Sequence, residues 1–291
     1  MRLRKSKELL QAELREKTRE VVENAEKIHS INKDLTDSIN YAKRIQNSIL
    51  PSKSLLHEAL PNSYLFFQPR DVVSGDFYFI ERIDNKLIVA CADCTGHGVP
   101  GAFVSMIGSV TIRNIYSKSK WQWRTPDQVL EELDEEVKLI LHREKHLFNE
   151  ETNISVSDGM DISLCEINLD TNEVLLAQAK RTSLLRRNGK VEKLKGDNRS
   201  IGGLDLMNTK FTLSTFQLEK GDALYLFTDG FPDQFGGIKD KKLMISGILE
   251  MLEAMEDMDR ERHLRAIRSN FAIWKSTTAQ VDDVLFIGLL F

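Results

Sequence analysis

The chain has 291 residues, 41% hydrophobic and 29% charged, with 40 Lys and Arg against 44 Asp and Glu for a formal charge of -4. That length suits one large domain, or one domain with an extension, and buries a full core without disulfides or a structural metal. The charge leaves no basic footprint for nucleic acid, no apolar run approaches the roughly 18 residues of a membrane span, and three cysteines fit a reducing, cytoplasmic setting better than a secreted disulfide framework. The start, Met1-Arg2-Leu3-Arg4-Lys5, is basic with no apolar stretch behind it, so it is not a signal peptide.

Residues 1–50 contain no Gly and no Pro. Leu14, Val21, Ile28, Leu35, Ala42 and Ile49 recur every seven positions, and Thr18, Ala25, Asn32, Ile39 and Gln46 form a second, wetter seam. A heptad kept over six repeats predicts a parallel coiled coil over 1–50 and a homodimer, with Asn32 placed to fix register. The pattern also allows one long solvated helix packed on its own domain. This segment holds 11 basic and 8 acidic residues, leaving 29 basic and 36 acidic for the rest. The two parts are therefore expected to do different jobs.

Pro51 ends the helix, residues 51–62 read as a linker with Pro61, and 63–291 form the main domain. Strands are predicted over 64–67, 77–80, 87–92, 162–168, 174–179, 184–187, 211–218, 223–228 and 284–291. Helices are predicted over 99–117, 127–146, 241–256 and 260–275. Strands come in groups rather than in βαβ alternation, which favours an α+β fold of two sheets with helices outside.

A few aspartates stand where surface residues do not. Asp76 precedes the strand that begins at Phe77, Asp93 ends a very apolar strand before Thr95-Gly96-His97-Gly98, and Asp229 ends another before Gly230. Asp282 and Asp283 open the last strand, and Asp158 and Asp161 flank Gly159-Met160. A carboxylate at the mouth of a buried strand must be paired or bind a cation, because desolvating it alone costs several kcal/mol. Several at one sheet end repel unless hard cations lie between them, and oxygen-only ligation suits Mg²⁺ or Mn²⁺. Two such ions about 4 Å apart activate water and clamp a phosphoryl group. Singly, Asp76 and Asp229 also read as turn residues beside glycine.

Competing motifs are weaker. Gly96-His97-Gly98-Val99-Pro100-Gly101 matches G-x-G-x-x-G, but no acid-tipped second strand follows about 20 residues later, and Asp93 would face a pyrophosphate with like charge. Cys91 and Cys94 with His142 and His146 suggest zinc, yet 47 residues separate the pairs and Cys91 lies within a strand; buried structural cysteines fit better. His97 either acts as a general acid, holds a water or only shapes the turn. No Gly-x-Ser-x-Gly elbow or phosphate-loop Gly-Lys-Ser/Thr is present.

Five segments then carry a resemblance: DVVSGDFY from Asp71, ADCTGHGVPGA from Ala92, DGMDI from Asp158, TDGFPDQFGG from Thr228 and VDDV from Val281. In content and order they resemble SpoIIE-type phosphatases, the bacterial branch of the metal-dependent, protein phosphatase 2C-like enzymes, over about residues 60–291. The resemblance implies a β-sandwich of two antiparallel sheets flanked by helices, with two Mn²⁺ or Mg²⁺ ions and a third, weaker one. By the same resemblance Asp76 and Asp93 are bridging ligands, Cys94 offers its backbone carbonyl where relatives have Gly, and Asp229 and Asp282 serve the second metal. Asp158 matches the weaker third site, and Asp283 stands behind the ligands. The implied reaction is hydrolysis of phosphoserine or phosphothreonine on a protein by metal-activated water. The implied substrate is a signalling partner such as an anti-sigma-factor antagonist, and the N-terminal helix is expected to transmit a signal from an upstream sensor. A catalytically silent binding module on the same fold is the rival. One stretch departs from the pattern: Ala177-Gln178-Ala179-Lys180-Arg181-Thr182 lacks the Gly and Pro of many relatives, so bulky basic residues are expected in place of a tight turn.

Overall fold

The computed structural model describes residues 2–118, 123–142, 158–203, 209–255 and 259–291, with side chains from Glu13 onward except at His142. The chain divides into two compact units, Met1–Ile45 and Gln46–Phe291. The first is helical throughout its described length and belongs to α1 (Arg2–Ile49). Surface pairs one turn apart support it: Lys17 with Glu20 at 2.8 Å and Arg19 with Glu23 at 3.2 Å, each worth a few tenths of a kcal/mol. Leu14, Val21, Ile28 and Leu35 of the heptad seam are exposed along it.

The second unit contains α2 (Ser54–Ala59), β1 (Tyr64–Gln68), β2 (Phe77–Ile83), β3 (Lys86–Cys94), α3 (Gly98–Lys118), α4 (Pro126–His142), β4 (Met160–Asn168), β5 (Glu173–Ala179), β6 (Thr182–Arg187), β7 (Lys190–Lys195), β8 (Ser214–Gln217), β9 (Ala223–Phe227), the short pair β10 (Phe235–Gly236) and β11 (Lys241–Lys242), α5 (Met244–Glu253), α6 (Arg260–Lys275) and β12 (Val284–Leu290). One sheet has the order β1-β12-β9-β6-β7 and the other β2-β3-β4-β5-β8, with antiparallel pairing throughout. Among the described residues no helix is long and apolar enough to cross a membrane.

Two-residue periodicity sorts each strand's side chains into layers. Leu87, Val89 and Cys91 of β3 meet Leu224, Leu226, Leu285 and Ile287 between the sheets. Ile88, Ala90, Ala92 and Cys94 point the other way and pack with Ile112, Leu130 and Leu133 of α3 and α4. Tyr225, Phe227 and Phe286 likewise turn outward onto Ile248, Ile267 and Phe271 of α5 and α6. Helices thus cover both outer faces, so the central strands are apolar on both sides and read as continuous runs.

Several expected elements shift. The helix expected over 241–256 is β11 followed by α5, and the strand over 211–218 shortens to β8. Within 51–62, read from Pro51 and Pro61 as a linker, α2 buries Leu56, and Leu60 just after it joins the same inter-sheet core. β7 was not expected; it is an edge strand whose Lys190, Glu192, Lys193 and Lys195 are exposed, a charged guard against edge pairing. The expected helix over 127–146 is described as far as His142, and His146 lies outside the described residues. All three cysteines are free, buried thiols, with burial pushing Cys165 up to about 12.

Candidate metal centre

The strand parity that builds the core also aims the acids. Asp76 shares its face with Tyr78 and Ile80, Asp93 with Leu87, Val89 and Cys91, and Asp283 with Leu285 and Ile287; that face is the inter-sheet side. Because Phe77 pairs with Ala92 and Phe286 with Phe227, these strands all begin or end at one edge of the sandwich. Apolar filling stops there, and carboxylates take its place.

Glycines let the backbones meet at this edge. A Cβ on Gly75 would lie 2.5 Å from the Gly96 carbonyl oxygen, and one on Gly101 would lie 2.1 Å from the same atom. Those distances are inside contact, so the segment bearing Asp76, the loop after Asp93 and the start of α3 close up only as glycine backbone.

Asp76 is buried, with its Oδ2 accepting a hydrogen bond from Thr228 Oγ1 at 2.6 Å. Burial first, then the neighbouring Asp93 charge, pushes its pKa well above the usual carboxylate range. Burial also raises Asp93, whose Oδ2 is 2.9 Å from Arg181 Nη1; that guanidinium opposes the shift and Asp229 adds to it. Burial likewise raises Asp282, although the Asp283 N–H, donating to its Oδ1 at 2.8 Å, works against this. Asp283 is committed to the backbone: its Oδ1 accepts from Arg70 N at 2.7 Å and its Oδ2 from Gly75 N at 2.8 Å. It ties the Asp76 segment to the start of β12.

Above these groups opens a cleft of about 420 Å³ lined by Asp93, Asp161, Lys180, Asp229, Asp282 and His97, among others. Four of the singled-out aspartates, Asp76, Asp93, Asp229 and Asp282, therefore come together at one edge. Cys94 also lines the cleft, but its thiol packs in the layer facing α3 and α4, which leaves its backbone as the part the site can use. Asp158 is half-buried beside the cleft, whose lining takes in Gly159 and Asp161. His97 is half-exposed, its Nδ1 3.1 Å from Asp71 Oδ2.

Two participants were missed. Thr228 bonds Asp76 directly; it shares inward parity with Leu224 and Leu226, a signal available in the strand pattern. Arg181, 8% exposed, places Nη1 2.9 Å from Asp93 Oδ2 and 3.6 Å from Asp229 Oδ2. It too has inward parity, two residues before Ser183 and four before Leu185. The expected loss of a tight turn at 177–182 is not what the fold shows: β5 and β6 join through Lys180 and Arg181 alone, with Lys180 at φ +53°. Gln178 donates through Nε2 to the Arg181 carbonyl at 2.9 Å and so holds the turn.

The donor set is oxygen-rich and crowded with like charge, which fits hard divalent cations. Among the described residues no three acidic, histidine or cysteine side chains form a ready coordination sphere; between Asp93 and Asp229 the positive charge is the Arg181 guanidinium.

Two antiparallel sheets with helices on both outer faces are the architecture of PP2C phosphatase domains. The chain resembles the SiaA-PP2C domain of Pseudomonas aeruginosa with a TM-score of 0.77 at 27% identity, covering 89% of this chain and 98% of that one. The fold also matches the PP2C phosphatase domain of SpoIIE from Bacillus subtilis, with its regulatory fragment (TM-score 0.60, 15% identity, 78% of this chain and 62% of that one). A third match is to the RsbU and RsbW domains of a Mycobacterium tuberculosis protein (0.58, 17%, 78% and 58%). Comparison with curated protein sequences gave no significant match. The family model for Stage II sporulation protein E (SpoIIE) matches residues 83–289, and the chain belongs to that family.

Proposed function

We propose that this chain is a metal-dependent serine/threonine protein phosphatase. The observation that carries the reading is the convergence of Asp76, Asp93, Asp229 and Asp282 at one sandwich edge beneath an open polar cleft. In this reading those four side chains and the Cys94 carbonyl hold two Mn²⁺ or Mg²⁺ ions, and Asp158 serves a weaker third. Bound cations supply the charge that acidifies a water and neutralises a phosphoryl group. The protein's own groups do the rest. Thr228 and Asp283 fix the Asp76 segment through the bonds described above, so that the carboxylates are presented without reorganisation. The cleft is broad and polar rather than a narrow apolar slot, which suits a phosphorylated side chain on a protein surface. A phosphoprotein of the anti-sigma-factor-antagonist class is the substrate type proposed from family membership.

The proposal extends to regulation. The exposed Leu14, Val21, Ile28 and Leu35 seam suits a second copy of the same helix, giving a parallel coiled-coil homodimer at the end of a signalling helix. Light scattering of the full chain against a Val21→Lys, Ile28→Lys variant tests this; equal monomeric masses would remove the dimer, and equal dimeric masses would remove the coiled-coil seam as its cause.

Activity is tested by Mn²⁺-dependent phosphate release from a phosphoserine protein, with Asp93→Asn and Asp229→Asn beside the unaltered chain. The expected result is release abolished by EDTA and by either substitution. Release that survives EDTA, or is untouched by both substitutions, refutes the metal mechanism; a folded, metal-binding chain that releases nothing marks a silent binding module.

A further inference from the structure

The turn between β5 and β6 is built to carry one charge into the carboxylate cluster. The Arg181 carbonyl accepts from Gly196 N at 2.9 Å and from Gln178 Nε2 at 2.9 Å, and Lys180 N donates to the Asp197 carbonyl at 2.7 Å. Backbone on both sides of the turn is therefore pinned, and any movement of the guanidinium must come from its own side-chain torsions. Its Nη1 reaches both Asp93 and Asp229, two of the four carboxylates given to metal in the reading above. Burial alone would lower the Arg181 pKa, but Asp93 and Asp229 outweigh it and raise it. A guanidinium neutralises carboxylates permanently, yet it is delocalised and does not acidify water as a divalent ion does.

We infer that Arg181 is a tethered cation that holds Asp93 and Asp229 together in the metal-free protein and is displaced when a divalent ion takes those oxygens. Arg181 is thus a positioning residue that sets how much metal the protein needs. The inference rests on the metal-dependent reading proposed above. It gives the basic turn at 177–182 a physical role: Gln178 pins the turn that delivers the charge.

The test is calorimetric titration of Mn²⁺ into the EDTA-stripped full chain and into Arg181→Met and Arg181→Lys variants, with melting temperatures taken with and without metal. Removing the competing charge is expected to tighten Mn²⁺ binding by about tenfold, equivalent to about 1.4 kcal/mol. Metal-free Arg181→Met melts below the unaltered chain, and saturating Mn²⁺ raises its melting temperature by a larger increment. Arg181→Lys keeps the charge and stays near the original affinity. Equal or weaker Mn²⁺ binding by Arg181→Met overturns the inference while leaving the phosphatase reading intact. If no folded version binds Mn²⁺, the metal reading itself falls, and this inference with it.

Discussion

Thr228→Val is the sharpest probe of how the fold supports the carboxylate edge. Valine matches threonine in shape, so the substitution removes a hydroxyl from a fully buried position without opening a cavity. That hydroxyl donates to Asp76 Oδ2 at 2.6 Å and accepts from Leu285 N at 3.0 Å. Losing the hydrogen bond to the Asp76 carboxyl costs about 1–3 kcal/mol, and leaving the Leu285 N–H unpaired adds about 1–3 kcal/mol. The extra apolar group returns about 1 kcal/mol. The expected net loss is about 1–5 kcal/mol. Thr228→Ser keeps both bonds and loses one methyl, for about 1 kcal/mol. Urea unfolding of the EDTA-treated chain reads both, followed by the fluorescence of Trp123 and Trp274, whose indole N–H groups are bonded to Glu166 and to the Gln234 carbonyl. A cycle with Asp76→Asn isolates the Thr228–Asp76 coupling. A valine variant no less stable than the serine variant would refute the claim that the hydroxyl anchors Asp76.

Other substitutions probe other joints of the same domain. Asp134 is buried and accepts from Gly202 N at 2.7 Å and Lys138 Nζ at 2.8 Å, besides pairing with Arg199. Burial alone would raise its pKa, but Lys138, Gly202 and Arg199 together hold it below the usual value of 3.8. Its stabilisation is therefore present above pH 3.8 and lost as pH falls through the lower folded value. Asp134→Asn should cost about 3 kcal/mol at pH 7, a deficit that shrinks in denaturation curves taken below pH 4. Gln46→Leu removes the bonds from Gln46 Nε2 to the Ser74 carbonyl (2.6 Å) and Ser105 Oγ (2.9 Å), and the acceptor for Ser74 N. It should cost about 2–3 kcal/mol and speed amide exchange at Ser74 more than in β9. Gly101→Ala drives a Cβ against the Gly96 carbonyl at 2.1 Å; a loss of at least about 2 kcal/mol in melting experiments is expected.

How far the site could be read beforehand depended on how odd each residue looked in its surroundings. Asp93 and Asp229 stand at the ends of strands so apolar that a charge there demands a partner, and Asp282 and Asp283 open an equally apolar strand. Arg181 carries no such contrast, since basic residues in a turn are ordinary, and only its register relative to Ser183 and Leu185 betrays the inward direction. The helix α2 was obscured by the flanking Pro51 and Pro61, although Leu56 and Leu60 are spaced one helical turn apart. β7 was obscured because an edge strand keeps its charges on the surface. Boundaries near 211 and 241 shifted because short apolar runs are consistent with either strand or helix until packing decides.

The charge count at this edge constrains what must complete it. Asp283 is satisfied by two backbone N–H groups, and the Arg181 guanidinium reaches Asp93 and Asp229, which leaves Asp76 and Asp282 with no cation in contact among the described residues. Where the carboxylates are most buried, at Asp76 and Asp93, one guanidinium does not balance the charge. The remaining negative charge is met by protons, by solvent at the more open Asp229, or by added cations. Burial and mutual repulsion push Asp76, Asp93 and Asp282 upward, the direction that this crowding of like charge dictates. Divalent ions would meet the same demand with far more charge per ligand site, so proton, guanidinium and metal compete for one set of oxygens. Arg181 is the competitor written into the chain, and its removal shifts that balance toward metal without altering a single proposed ligand.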